Sequence, residues 1–337
     1  MNRVIRFHQF GPADVLRIEE QSVRQPNAGE VLVRVEAIGV NWGDVLWRQD
    51  LAPQHAQLPA GLGSELAGEV IAIGSEVTRF KVGDRVASFL GHSVNEYPAY
   101  GECMLMPSTS LTHYPDVLSA EQAAVHYMPL LIAYLGFTEL ARMKAGQRVL
   151  ITDASHCSGP SSIQMAKALG AQVFATSDTS DDRDYLIGLG ADKVIATEEE
   201  DLVGRLKKLT DGHGVDVVLD ACGGPQMGLL GDIMAPRGKL ILYGLNGGNQ
   251  TPFPACAAFE KNFKFFVHCL VDFTGSPELG IQPDHEVVER ALAQINQLTR
   301  DGLLRANIDK VFAFDDVVAA HQYLESGDCR GRVVLKV

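Results

Sequence analysis

The sequence predicts an α/β protein in which a doubly wound parallel-sheet unit is inserted into a partly closed antiparallel β unit. Three features of the sequence carry this: strand-like period-2 alternation in the first third, apolar strands alternating with helices from Gln147 to Gly244, and a closing run able to return to the first unit. At 337 residues, a prior of about 150 residues per domain gives two domains.

In the first third, Val31, Val33 and Val35 alternate with Leu32, Arg34 and Glu36, the pattern of a strand with one face inward. Ala67 to Ile73 and Arg85 to Phe89 read the same way. Turn-rich pieces at Pro26 to Gly29 and Lys81 to Asp84 separate them, their Gly and Asp supplying the angles that reversals need.

Near Ser119 the texture changes. Ser119 and Gln122 form a capping box ahead of an apolar segment running to Leu140. From Gln147 the expected order is strand Arg148 to Thr152, helix Ser161 to Leu169, strand Gln172 to Thr176, helix Asp182 to Leu189 and strand Lys193 to Ala196. Further strands are expected at Val215 to Asp220 and Lys239 to Gly244. Apolar strands between helices indicate a parallel sheet buried on both faces. After Lys264 come helix Glu286 to Arg300, strand Val311 to Phe314, helix Val317 to Glu325 and strand Arg332 to Val337. The expected domains are residues 1–122 with 268–337, and 123–267.

Charge narrows the partners. Lys and Arg total 29 against 42 Asp and Glu, a net charge of −13 that repels nucleic-acid phosphates and anionic lipid. No uninterrupted apolar stretch reaches the ~20 residues of a membrane helix, and Arg3, Arg6 and His8 stand where a signal peptide is apolar. A cytoplasmic protein with neither nucleic-acid nor membrane partners is expected. The six cysteines show no two-residue spacing and read as reduced, mostly buried thiols.

The sharpest local signal is the junction after Val149, Leu150 and Ile151. A strand-to-helix turn presents backbone N–H groups and the helix dipole to a dinucleotide pyrophosphate. The candidate cofactor residues are Ala154, Ser155, His156, Cys157, Ser158 and Gly159; only Gly159 remains of the usual three glycines, with Ala154 and Cys157 at the other two positions. A plain strand-loop-helix turn reads equally well from these residues alone. Ser177, at the end of the next strand, replaces the acid that grips the ribose of NAD, so the spot admits a 2′-phosphate. Arg183 is its candidate partner, or else a solvated side chain paired with a nearby Asp. Asp178, Asp181, Asp182 and Asp184 oppose a dianion. On balance the expectation is NADPH over NADH.

Taken together, Gly39 to Asp44, Gly61 to Gly68, Val82 to Val86, the turn ending at Gly159, Ala168 to Ala171, Leu189 to Asp192 and Gly331 to Leu335 resemble the medium-chain dehydrogenase/reductase superfamily, in particular its zinc-free quinone oxidoreductase branch. The resemblance spans essentially the whole chain. It implies a GroES-like catalytic domain built from both chain ends, an inserted Rossmann domain, the nicotinamide held between them, cofactor contacts at Gly244 and Arg332, and a homodimer formed through edge strands near Pro254 to Val267. Zinc-dependent relatives carry Cys where Asn41 stands and His where Ser64 stands; both replacements are poor zinc ligands and Glu65 alone cannot hold the metal.

Without a Lewis acid, oxidation of a simple alcohol loses its main stabilisation. A quinone or an enone can take hydride unaided, because the resulting negative charge delocalises onto oxygen. Asn41 is the first choice for the catalytic polar contact, or else satisfies loop backbone. Trp47 is either a flat wall for a ring or core packing. Many relatives carry a Thr at Ile132, so either His126, Tyr127 or backbone replaces its hydroxyl or cofactor affinity falls. Cys157, at a helix N-terminus, is either an oxidisable thiol or inert beneath the cofactor. Three functions stand: an NAD(P)H-dependent, zinc-free reductase of quinones or enones; a non-catalytic NAD(P)-binding redox sensor or structural protein; and a zinc alcohol dehydrogenase.

Overall fold

A computed structural model describes residues 2–337. Two compact units emerge. One comprises the residues up to Met128, Leu270–Arg300 and Ala306–Val337; the other comprises Pro129–Cys269 and Asp301–Arg305. In chain order the first unit supplies β1 (Asn2–Arg6), β2 (Arg17–Gln21), β3 (Glu30–Val40), β4 (Glu65–Ile73), β5 (Arg85–Ser88), β6 (Cys103–Pro107) and β7 (Leu111–His113). The second unit holds β8 (Arg148–Ile151), β9 (Gln172–Ser177), β10 (Lys193–Ala196), β11 (Val215–Asp220), β12 (Met234–Leu242) and β13 (Lys264–Val267); β14 (Ile308–Ala313) and β15 (Arg332–Lys336) return to the first.

In the first unit the sheet runs β14-β15-β3-β4-β5-β7, with β6 also on β3. The long strand β3 is its hub. Val31, Val33 and Val35 are buried while Arg34 and Glu36 face solvent, as alternation requires. The core they enter includes Ile38, Leu66, Val70, Val333 and Leu335, and each such side chain withdrawn from water contributes roughly 1.5–3 kcal/mol. The register places Gly39 opposite Glu65 on one side and Val40 opposite Val333 on the other. Three strand ends thereby meet beside Asn41. At Gly63, just ahead of β4, φ is +87° and a Cβ would lie 2.3 Å from the Tyr100 ring, so only glycine brings the chain past that ring into β4.

The second unit is one parallel sheet of order β10-β9-β8-β11-β12-β13. After β8 the chain moves outward through β9 and β10, then returns to β11 beside β8 and builds the other way. This creates a topological switch point between β8 and β11, where open α/β sheets bind ligands. Val149, Leu150, Ile151, Val173, Phe174, Val217, Val218 and Leu219 are fully buried, which explains their continuous apolar pattern.

The run Ala120–Leu140 is long and apolar enough by mean composition to cross a membrane, but Glu121, Gln122, His126 and Glu139 interrupt it, as the sequence reading required, and 72% of its apolar window is buried in protein, so it is a core element. Its start has the expected box, Gln122 N donating to Ser119 Oγ (3.2 Å) and Ser119 N to Gln122 Oε1 (2.9 Å). Of the cysteines, expected to be mostly buried, only Cys329 is buried; Cys256 and Cys269 are exposed.

The helix Trp42–Arg48 carries a buried acid. Asp44 is 6% exposed, and its Oδ2 accepts from Asn41 N (2.9 Å) and from the Tyr100 hydroxyl (3.0 Å). Burial outweighs these two bonds and pushes the Asp44 carboxyl up to about 7. In the range between its unfolded value near 4 and about 7, the native state holds a proton that the unfolded chain releases, so the contribution of Asp44 makes stability fall as pH rises. Both bonds converge on one oxygen, which the Oδ1 of asparagine can replace. Asp44→Asn is therefore expected to flatten the pH dependence of Tm between pH 4 and 7 and to raise Tm at pH 8 by about 2–4 °C, read by thermal melts followed by circular dichroism.

Candidate functional site

The turn after β8 is tied to the end of β9: Ala154 N donates to Thr176 O (2.9 Å) and Asp153 N to Thr176 Oγ1 (3.1 Å). Asp153 and Cys157 both adopt left-handed backbone, φ 48° and 44°. Cys157 thus takes a glycine's conformation at a glycine's position, at a cost of roughly 1–2 kcal/mol. Gly159 opens the helix Gly159–Ala168. A Cβ there would sit 2.4 Å from the Ala154 carbonyl oxygen, so this third glycine is required for close helix-to-strand packing. Ala154 and Ser155 are fully buried and Ser158 nearly so. The Ser155 Oγ has no hydrogen-bond partner within the protein. A turn with an open buried hydroxyl at a helix N-terminus fits a dinucleotide pyrophosphate.

His156 does not hang free over this turn. Its Nδ1 donates to Asp153 Oδ1 (2.5 Å), and Asp153 Oδ2 accepts from Asn246 Nδ2 (2.8 Å). The hydrogen bond to Asp153 raises the imidazole above its ordinary pKa, against the opposing effect of burial.

At the switch point lies a crevice of about 450 Å³, lined by Thr152, Asp153, Thr176, Asp178, Asp220, Cys222 and Asn246 among others. Thr152 Oγ1 donates to Asp220 Oδ1 (2.6 Å) and accepts from Ala221 N (3.0 Å), while Asp220 Oδ2 accepts from Gly223 N (2.9 Å). These bonds brace the ends of β8 and β11; burial raises the Asp220 carboxyl. Gly244, beyond β12, lets its loop approach Ala221, whose carbonyl oxygen would lie 2.4 Å from a Cβ. Of these, Thr152 and Asp220 were not singled out in the sequence, and Asp178 was named only as one of four acids opposing a dianion. The available signal for Asp220 was an acid closing an apolar strand just ahead of Gly223 and Gly224.

Ser177 and Arg183, the expected ribose contacts, both have partners within the protein. Ser177 is 3% exposed and its Oγ donates to Thr179 O (2.8 Å), so it is Asp178 that lines the crevice. Arg183 Nη2 donates to Glu200 Oε1 (2.8 Å), the ion-pair alternative with Glu200 in place of an Asp.

In the first unit, the three strand ends beside Asn41 form a buried polar cluster. Arg332 Nη2 donates to Asn41 Oδ1 (2.8 Å) and to Glu65 Oε2. Asn41 Nδ2 donates to Glu65 Oε2 (3.0 Å) and, at 3.5 Å, to Gly39 O. Arg332, expected at the cofactor, is thus buried on a carboxylate and an amide. Trp47 is 6% exposed in the hydrophobic core, with Nε1 donating to Gly61 O (3.1 Å), so packing accounts for it and no ring face is left for a substrate. His126 Nε2 is bonded to Thr299 Oγ1 (2.8 Å) and the Tyr127 hydroxyl to Asn296 Oδ1 (2.6 Å), which commits both to the helix His285–Arg300. Neither replaces the hydroxyl absent at Ile132.

This donor set does not fit zinc. Asn41 and Ser64 are weak ligands, and a divalent cation at Glu65 would meet a guanidinium already bound there. Among the described residues no three His, Cys, Asp or Glu side chains converge to hold a metal.

Residues 27–120 match the model of an alcohol dehydrogenase GroES-like domain, and residues 189–335 that of a zinc-binding dehydrogenase. The chain is 33% identical to a quinone oxidoreductase of Pseudomonas aeruginosa over 99% of both chains. Among solved structures it is similar to Escherichia coli quinone oxidoreductase complexed with NADPH (TM-score 0.88, 28% identity, all of both chains). It is also similar to the CurK enoyl reductase (TM-score 0.86, 25% identity, 99% of both chains). With its GroES-like and parallel-sheet units and this full-length similarity, the chain belongs to the quinone oxidoreductase branch of the medium-chain dehydrogenase/reductase superfamily.

Proposed function

We propose that this protein reduces quinones or enones with NADH or NADPH, without a metal. The carrying observation is the Arg332 guanidinium bound to both Glu65 and Asn41, which puts a fixed positive charge where a catalytic cation would have to sit. An acceptor that delocalises its own negative charge needs no such cation. The quinone oxidoreductase and enoyl reductase relatives support the same acceptor classes.

When bound, a reduced nicotinamide dinucleotide supplies the hydride. The turn Ala154 to Gly159 holds the pyrophosphate, and Thr152 with Asp220 keeps the crevice walls in register. Asn41 is held by Glu65 and Arg332 in a single amide orientation; the N–H that reaches Gly39 O at only 3.5 Å is the donor for the acceptor oxygen. The balance is one hydride and one solvent proton per acceptor, giving hydroquinone from quinone or saturated carbonyl from enone. We also infer a homodimer through β13: among the described residues this edge strand pairs only with β12, and Val267 at its end and Phe259 in the preceding helix Ala255–Lys261 are 65% and 91% exposed.

The test is consumption of reduced dinucleotide with a panel of benzoquinones, naphthoquinones and enones. Turnover with at least one class is expected; dinucleotide binding with no turnover favours the sensor reading. Asn41→Ala is expected to lower kcat/KM roughly tenfold. Arg332→Met leaves Glu65 buried without a counter-charge and should cost about 3–5 kcal/mol in urea unfolding. Combining it with Glu65→Gln is expected to recover much of that loss, a coupling a double-mutant cycle measures. Light scattering should give twice the 36.5 kDa chain mass.

A further inference from the structure

We propose that Asp44 is the proton donor of the reaction, its carboxyl handing a proton to the acceptor oxygen as hydride arrives; the assignment rests on the reduction proposed above. The buried cluster beside Asn41 holds two carboxylates, Glu65 and Asp44, 0% and 6% exposed, but only one guanidinium. Arg332 is bound to Glu65 Oε2 and to Asn41 Oδ1, so the positive charge is spent on Glu65. Arg48, the other buried guanidinium, is bound to Glu325 and to Gly11 O. His321, 3.5 Å from the Tyr100 hydroxyl, is kept uncharged by burial. A second buried carboxylate without a counter-charge is costly, and such a group keeps its proton instead. Burial accordingly lifts the Asp44 carboxyl to about 7, with the charge of Glu65 acting in the same direction. Its two bonds, from Asn41 N (2.9 Å) and the Tyr100 hydroxyl (3.0 Å), both fall on Oδ2. Oδ1 has no partner in the protein and, unlike Glu65 Oε1, is not sealed from solvent. Asp44 also lies in the first turn of the helix whose N-cap is Asn41, so the acid and the donor amide share one turn of chain.

As hydride reaches a quinone or the β-carbon of an enone, its two electrons reduce the acceptor and negative charge gathers on the oxygen that Asn41 Nδ2 contacts. The Asp44 Oδ1–H bond breaks and an O–H bond forms on that oxygen. The product is a hydroquinone, or an enol that water converts to the saturated carbonyl. The carboxylate left behind is stabilised by the Asn41 N–H and the Tyr100 hydroxyl, already in place on Oδ2, and by the charge of Arg332. Water then returns the proton.

The experiment follows reduction of quinones and enones between about pH 5.5 and 9 by the full-length protein and the variants Asp44→Asn and Asp44→Glu, with infrared difference spectra of the dinucleotide-free proteins over the same range. Only the protonated carboxyl donates, so wild-type kcat/KM is expected to hold below about 7 and to fall above it. Asp44→Asn should lower kcat/KM about 100-fold at the acid end and erase that fall, with dinucleotide affinity and Tm maintained. Asp44→Glu should restore the fall and part of the rate. In the spectra, a carboxylic acid band lost with a midpoint of about 7 is expected in the wild type and not in Asp44→Asn. Full activity or a retained alkaline fall in Asp44→Asn overturns the assignment. So does an activity loss matched by weaker dinucleotide binding or a lower Tm, the mark of a structural role. Absence of turnover by the wild type with every acceptor overturns the proposed function instead, and a missing acid band then overturns the stored proton as well.

Discussion

Removing a guanidinium and a carboxylate from water costs several kcal/mol per ion unless the two meet with good geometry. Arg332 and Glu65 have side chains 3% and 0% exposed, and they meet. They are 267 positions apart in sequence, with the whole parallel-sheet unit between them. The first unit can bury this pair only when β15 returns to β3 in the register that sets Val333 against Val40. A slip of one residue would turn every inward side chain of β15 outward and strand the charge. Electrostatics and hydrophobic burial therefore select the same closure, and Asn41, Asp44 and Tyr100 take their places around it.

The second unit handles charge differently. Its turn after β8 offers backbone N–H groups and a hydroxyl, its one imidazole is tied to Asp153, and carboxylates line the adjoining crevice. Oriented dipoles of this kind suit a pyrophosphate.

Much of this was legible in the sequence, and what was not has physical reasons. The alternation of Val31, Val33 and Val35 and the apolar runs of β8, β9 and β11 are burial patterns, which sequence records directly. Gly159 was legible because only glycine tolerates the approach to Ala154. The partners of Arg183, Ser177 and Arg332 were not, since a flexible side chain chooses among neighbours that only the fold assembles. That Asp178 rather than Ser177 lines the crevice was not legible, because the length of a strand does not say which side chain at its end turns outward. Trp47 was ambiguous because an indole serves as wall or core equally well until Gly61 supplies an acceptor. The edge strand β13 gave little signal, being four residues long and only half buried.

The double attachment of Asp153, to His156 on its own turn and to Asn246 on the loop beyond β12, has a thermodynamic consequence. Two segments far apart in sequence are already locked together before anything arrives. A visiting molecule need not freeze them, so less conformational entropy is lost on association and more of the contact energy survives as affinity. Asp153, His156 and Asn246 thus act as a built-in brace.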